Sequence, residues 1–237
     1  MNTIKAWHFA ANNKKLRYSD HRPVRRNVRY FARPKNKELE LCKHGMHGSK
    51  NILDALKWAP GSIVTWCEFG GRIVHEEDKL TAEWRKPLWV YDATELLQEF
   101  AHWCALKVIH LWECPDVVKQ YFETGNEEFL REASSFTTNM FYSNIHNKVS
   151  YEAIKVSLLS MSFVYIFDTN KIDISNVHSC TNIISKGSIK ASALNMILNS
   201  TENPPEKNFH DFSNEERKLH QEKLLEMLSS VGWKYQP

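Results

Sequence analysis

The chain has 237 residues, 42% hydrophobic and 25% charged, with 31 Lys or Arg against 28 Asp or Glu and a formal net charge of +3. That length supports one large domain or two small ones. Twelve Phe, eight Tyr and eight Trp supply enough apolar surface to exclude disorder throughout.

From the N-terminus to about residue 89 the pattern is that of strands. Ile4, Ala6 and the neighbouring Trp7, His8 and Phe9 predict a strand over 4–9, residues 39–42 a second, the β-branched and aromatic run 62–69 a third, and residues 81–91 a further one. Gly70 and Gly71 predict a bulge or turn feeding a short strand over 72–75. Residues 49–58 read as a short helix stopped by Ala59, Pro60 and Gly61, with Ser49 as its cap. From Asp92 the period changes to 3.6. Asp92 and Glu95 have capping-box spacing, and a buried helix is expected to about Trp112. Pro115 opens a helix that runs to Gly125, and 127–142, 151–167 and 189–198 read as further helices. Residues 169–188 are the least legible. Residues 201–205 read as a linker, and Ser213 as the cap of a last amphipathic helix ended by Gly232. The expected class is α+β, an N-terminal antiparallel or mixed sheet with a short helix followed by a C-terminal helical region. The expected segments are 1–110, 111–200, 201–212 and 213–232.

Charge is uneven along this order. Residues 1–50 hold thirteen Lys or Arg against Asp20, Glu38 and Glu40, a net +10, and the rest hold 18 against 25, a net −7. Arg22, Arg25, Arg26, Arg29 and Arg33 are therefore candidates for binding a phosphate-bearing or acidic partner. The alternative is a solvated loop whose charges aid solubility. The five cysteines have no paired spacing, the first residues lack a signal-peptide pattern, and no apolar run is long enough to span a membrane. A cytoplasmic protein is expected, with no membrane association.

Residues 41–49 hold the densest set of chemistry-bearing side chains. Gly45 and Gly48 shape a tight turn in which backbone N–H groups and Ser49 can meet an anionic ligand. His47 is a candidate hydrogen-bond donor or general base, with Glu68, His75 and Asp78 as candidate partners. Cys42, His44 and His47 with Cys67, His75 or Cys180 do not make the two close pairs of a structural zinc site, so no metal and no cofactor is expected. The other reading of Cys42 is a small thiol facing inward on a strand. G-x-S-x-G, a Walker loop, G-x-G-x-x-G and a helix-turn-helix are all absent. Trp7, Phe9, Trp58, Trp66, Phe69, Trp84 and Trp89 can stack on bases or fill a core, and alternation favours the core.

The ordered motifs Lys5-Ala6-Trp7-His8-Phe9, Leu16-Arg17-Tyr18, Arg22-Pro23-Val24, Leu41-Cys42 with Gly45-Met46-His47-Gly48-Ser49, Asp54-Ala55-Leu56, Ala59-Pro60-Gly61, Glu68 with Gly70-Gly71, Ile73 and His75, and Asp78-Lys79 resemble an uncharacterised domain common in bacteriophage and prophage proteins. The resemblance covers about residues 1–106 and carries no activity to transfer. In that family alanine-rich helical segments often follow, whereas here the second half is rich in Ser, Asn and aromatics. A fainter similarity is to ADP-ribosyltransferase-like folds, in which His8, the 45–49 turn and Glu68 stand in a compatible order, with Met46-His47 where a Tyr is usual. The phage-type resemblance, the polar charge distribution and the absence of an intact catalytic set together point to a phage-associated accessory protein in the host cytoplasm that binds a host protein complex or nucleic acid through its basic segment, as an inhibitor of a host defence system would. The alternative is a nucleotide- or NAD-binding enzyme using the 45–49 turn.

Overall fold

The computed structural model describes residues 3–17, 20–34, 37–144, 146–168, 177–200 and 207–234. It falls into two compact units, one of Met1–Leu97, Ile174–Ser179 and Ser229–Pro237, the other of Gln98–Asp173 and Cys180–Leu228. The first carries an antiparallel sheet and the second is helical, so the chain is α+β. This division differs from the expected segments: the first boundary falls at residue 97, and residues from Ser229 onward belong to the sheet unit. The expected linker residues 201–205 lie outside the described residues.

In the sheet unit, β1 (Thr3–Ala10), β4 (Ile63–His75), β5 (Leu80–Asp92) and β2 (Tyr30–Phe31) lie in that order, and β3 (Met46–Gly48) also pairs with β5. Every pairing is antiparallel. Helix α1 (Ile52–Lys57) joins β3 to β4. Alternation along β1 explains the two faces. Ala6 and Ala10 join Ile63, Cys67, Phe69 and Leu80 in one apolar cluster. Trp7 stands opposite Trp66 in the register, with ring centroids 4.8 Å apart, and Trp233 lies 4.9 Å from Trp7. An indole removes about 200 Å² from water when buried, roughly 5 kcal/mol as an upper limit, which is why Trp7 packs rather than stacks on a ligand.

The expected bulge is present. The β4–β5 register shifts between Gly70 and Ile73, Gly71 takes φ +81°, and the strand continues to His75. Two local expectations are corrected. Residues 39–42 form a turn rather than a strand: Glu40 and His44 exchange backbone hydrogen bonds of 3.0 and 2.8 Å, and Cys42, at φ +63°, is exposed rather than inward. Four alternating residues are too few to hold a strand when no neighbour offers a ladder. Ser49 does not cap α1. Its N–H and carbonyl are both bonded to Trp7, at 2.9 and 2.8 Å, and Asn51 caps the helix by accepting from the Leu53 N–H at 2.8 Å.

The helical unit takes most of α2 (Thr94–Val108) with α3 (Asp116–Thr124), α4 (Leu130–Ser143), α5 (Lys148–Asp168), α6 (Val177–Leu198) and α7 (Phe209–Ser230). Thr94 Oγ1 donates to Asp92 Oδ1 at 2.7 Å at the start of α2, a contact different from the expected capping box of Asp92 with Glu95, and Gly125 ends α3 in the left-handed region as the sequence predicts. Helix α6 begins twelve residues before the expected 189. Helix α7 begins at Phe209 and not at Ser213, because Asn208 and Asp211 cap it reciprocally: Asn208 Oδ1 accepts from the His210 N–H at 2.8 Å, and the Asn208 N–H donates to Asp211 Oδ2 at 3.0 Å.

Candidate functional site: a basic cleft over a buried arginine

A cleft of about 910 Å³ opens on the sheet unit where β1, β3 and the loops after β1 and β2 come together. Gly45, His47, Gly48 and Ser49 line it, so the turn singled out in the sequence does face a cavity. The two glycines are explained by close packing. A Cβ on Gly45, at φ +127°, would lie 2.0 Å from Thr81 Oγ1, and one on Gly48 would lie 2.4 Å from the Phe69 ring. The backbone of the turn is thereby pressed onto β5.

The residue with the sharpest chemistry is one that sequence reading missed. Arg85 of β5 is 3% exposed and lines the cleft. Its Nη1 donates to the His47 carbonyl at 2.9 Å, and its Nε has no partner among the described residues. Among the described residues no carboxylate lies within ion-pair distance of it. Burial pulls the guanidinium below its ordinary pKa, against partial compensation from Cys67, Tyr30 and Asp20. The only sequence-level signal was an Arg between Trp84 and Lys86 in an alternating strand, which reads as an outward-facing charge.

Two histidines share this field. Burial, then Arg85, His47 and Arg17, hold His8 well below the usual imidazole pKa. Burial and Arg85 also lower His47, while a hydrogen bond to the Glu40 backbone works the other way. The Cys42 N–H donates to His47 Nε2 at 3.1 Å, so that nitrogen is an acceptor and the ring is neutral. His47 thus staples the 40–42 turn to β3.

The cleft does not bring His47 together with its other expected partners. Glu68 pairs with Lys86 at 2.7 Å and His75 is exposed near the hairpin tip; neither lines the cleft. Asp78 pairs with Lys57 at 2.7 Å. The basic segment is also divided. Arg22 forks onto Asp20 and donates to the Phe31 carbonyl at 2.9 Å, Arg26 donates to the Leu88 carbonyl at 2.8 Å, and Arg29 stacks on Trp84 at 4.1 Å. These three fasten the segment to β5 and β2. Arg25 is exposed, and Arg33 lines the cleft. Among the described residues six cations, Lys15, Arg17, Arg33, Lys43, Lys79 and Arg85, line it against one carboxylate, Asp20. Trp58, 50% exposed, also lines the cleft, with Lys57 and Lys79 over its ring at 4.6 and 5.0 Å.

Cys42, Cys67, Cys104 and Cys114 are free thiols, and among the described residues no group of three or more His, Cys, Asp or Glu is placed to hold a metal ion. No helix in the described residues is long and apolar enough to cross a membrane. No family model, curated protein or solved structure matches the chain.

Proposed function

We propose that the chain is a binding protein whose sheet unit takes a nucleotide or a nucleotide unit of a nucleic acid in the basic cleft. The observation that carries this is Arg85, a buried cation with no carboxylate partner among the described residues, which lines a cavity of nucleotide size. An unpaired buried charge costs several kcal/mol, and an anionic ligand offsets that cost. Binding is favoured over catalysis because Asp20, the single carboxylate among the described lining residues, is tied to Arg22, and His47 Nε2 is committed to Cys42.

The phage-type motifs lead us to propose further that the ligand belongs to an infected host, with sequestration of a host nucleotide or nucleic acid as the accessory role. Titration of the full chain with mononucleotides, NAD and short single-stranded DNA, followed by calorimetry, tests the cleft. Saturable binding that weakens with salt and disappears in Arg85→Met supports it; no binding at millimolar ligand, or unchanged binding in the variant, overturns it.

A further inference from the structure

Resting on the reading of the cleft as a nucleotide site, we infer that its floor selects a terminal phosphate monoester over an internal phosphodiester. The position of Arg85 is the reason. A guanidinium carries five N–H donors in a rigid fork, and here the fold uses Nη1 and leaves Nε without an acceptor. At 3% exposure Arg85 shows the cleft little of its surface, and its Nε is shut off from water, so an oxygen that projects beyond its substituents meets the group with the least rearrangement. The end of a monoester projects three such oxygens. A diester carries a sugar on each side of its phosphorus, so its two free oxygens lie mid-chain and stay above the floor.

Charge points the same way. Lys43 and Lys79 are balanced by Glu40 and Glu76, at 2.5 and 3.1 Å, yet Lys15, Arg33 and Arg85 still outnumber Asp20 among the described lining residues. A dianion suits that surplus better than the single charge of a diester. Lys15 and Arg33 are exposed and Arg85 is 3% exposed, so cations line both the open and the buried parts of the cleft.

The test compares 5′-AMP, 3′,5′-cyclic AMP and adenosine on the full chain by calorimetry. A second pair is one oligonucleotide with and without a 5′-phosphate, which separates a free nucleotide from a nucleic-acid end as the source of the monoester. At least ten-fold tighter binding of 5′-AMP than of the cyclic diester, or of the phosphorylated than of the unphosphorylated oligonucleotide, supports the inference. Arg85→Lys, which keeps charge but loses the fork, should narrow that ratio. Equal affinity for monoester and diester overturns the inference while leaving the nucleotide reading standing. Absence of binding by every nucleotide and oligonucleotide removes both. The comparison of ligands on the unaltered protein holds even where an Arg85 variant does not fold.

Discussion

Asn51 and Ser49 are two residues apart and do different work. Asn51→Ala removes the side-chain acceptor for the Leu53 N–H and should cost about 0.5 to 2 kcal/mol in a denaturant melt. Ser49→Ala should leave α1 capped, because Ser49 is held through its backbone to Trp7 and only its hydroxyl is lost. Equal losses in the two variants would contradict this division of roles. Gly48→Ala belongs to the same scale: its methyl would meet the Phe69 ring at 2.4 Å and the Trp7 carbonyl at 2.9 Å, so roughly 1 to 3 kcal/mol of destabilisation is expected, read as a lowered Tm. Cys42 gives a further residue-scale readout of the cleft. It is exposed and lines the cavity, whereas Cys67 and Cys104 are buried and burial raises both thiols. Alkylation of the native protein should therefore show a fast phase that Cys42→Ser abolishes and a bound nucleotide slows; a fast phase indifferent to both would separate Cys42 from the ligand site.

At the scale of elements, α7 shows why Ser-rich and charged helices are hard to read. Its His220 is fully buried beside α2 and α6. Nδ1 donates to the Glu216 carbonyl at 2.8 Å, Nε2 meets Ser188 Oγ at 3.1 Å, and Lys107 pairs with Glu216 at 3.1 Å. Burial brings the His220 pKa down to about 4, against the opposing hydrogen bond to Glu216, with Lys107 lowering it further. The folded state therefore keeps His220 neutral while the unfolded chain binds a proton below about pH 6.5. Stability is present above that value and is lost as pH falls from about 6.5 toward 4, by about 3 kcal/mol from this residue. Urea denaturation of the helical signal at pH 7 and pH 4.5 should show the loss, and His220→Asn should flatten the slope; an unchanged slope would place the acid sensitivity elsewhere. The same element logic governs α5 and α6. Ser157 Oγ donates to the Ala153 carbonyl at 3.1 Å, and a Cβ on Gly187 would lie 2.7 Å from Val156 Cγ2, so small and hydroxylated residues let these helices approach closely. Sequence alone reads such residues as turn formers, which is why the start of α6 is not legible in it.

For the molecule as a whole, the change of hydrophobic period near Asp92 was enough to separate a strand-rich part from a helical part, because periods of 2.0 and 3.6 are local consequences of backbone geometry. The long strands, the Gly70 and Gly71 bulge and the Pro115 to Gly125 helix were legible for the same reason: each is set by residues adjacent in the chain. Two-residue β2 and three-residue β3 were not legible, since strands that short exist only where β5 supplies their hydrogen-bond partners. The site divides along the same line. His47, Gly45 and Gly48 were visible as a cluster because they are contiguous. Arg85 stands 38 residues from His47 and meets it only through the β3–β5 pairing, and His8 joins them from a third strand. The +10 charge of residues 1–50 was a property of composition. Which of those charges are spent on the fold and which surround the cleft depended on the tertiary structure, because an arginine is a ligand group or a staple according to the carbonyl, carboxylate or ring that the fold brings within its reach.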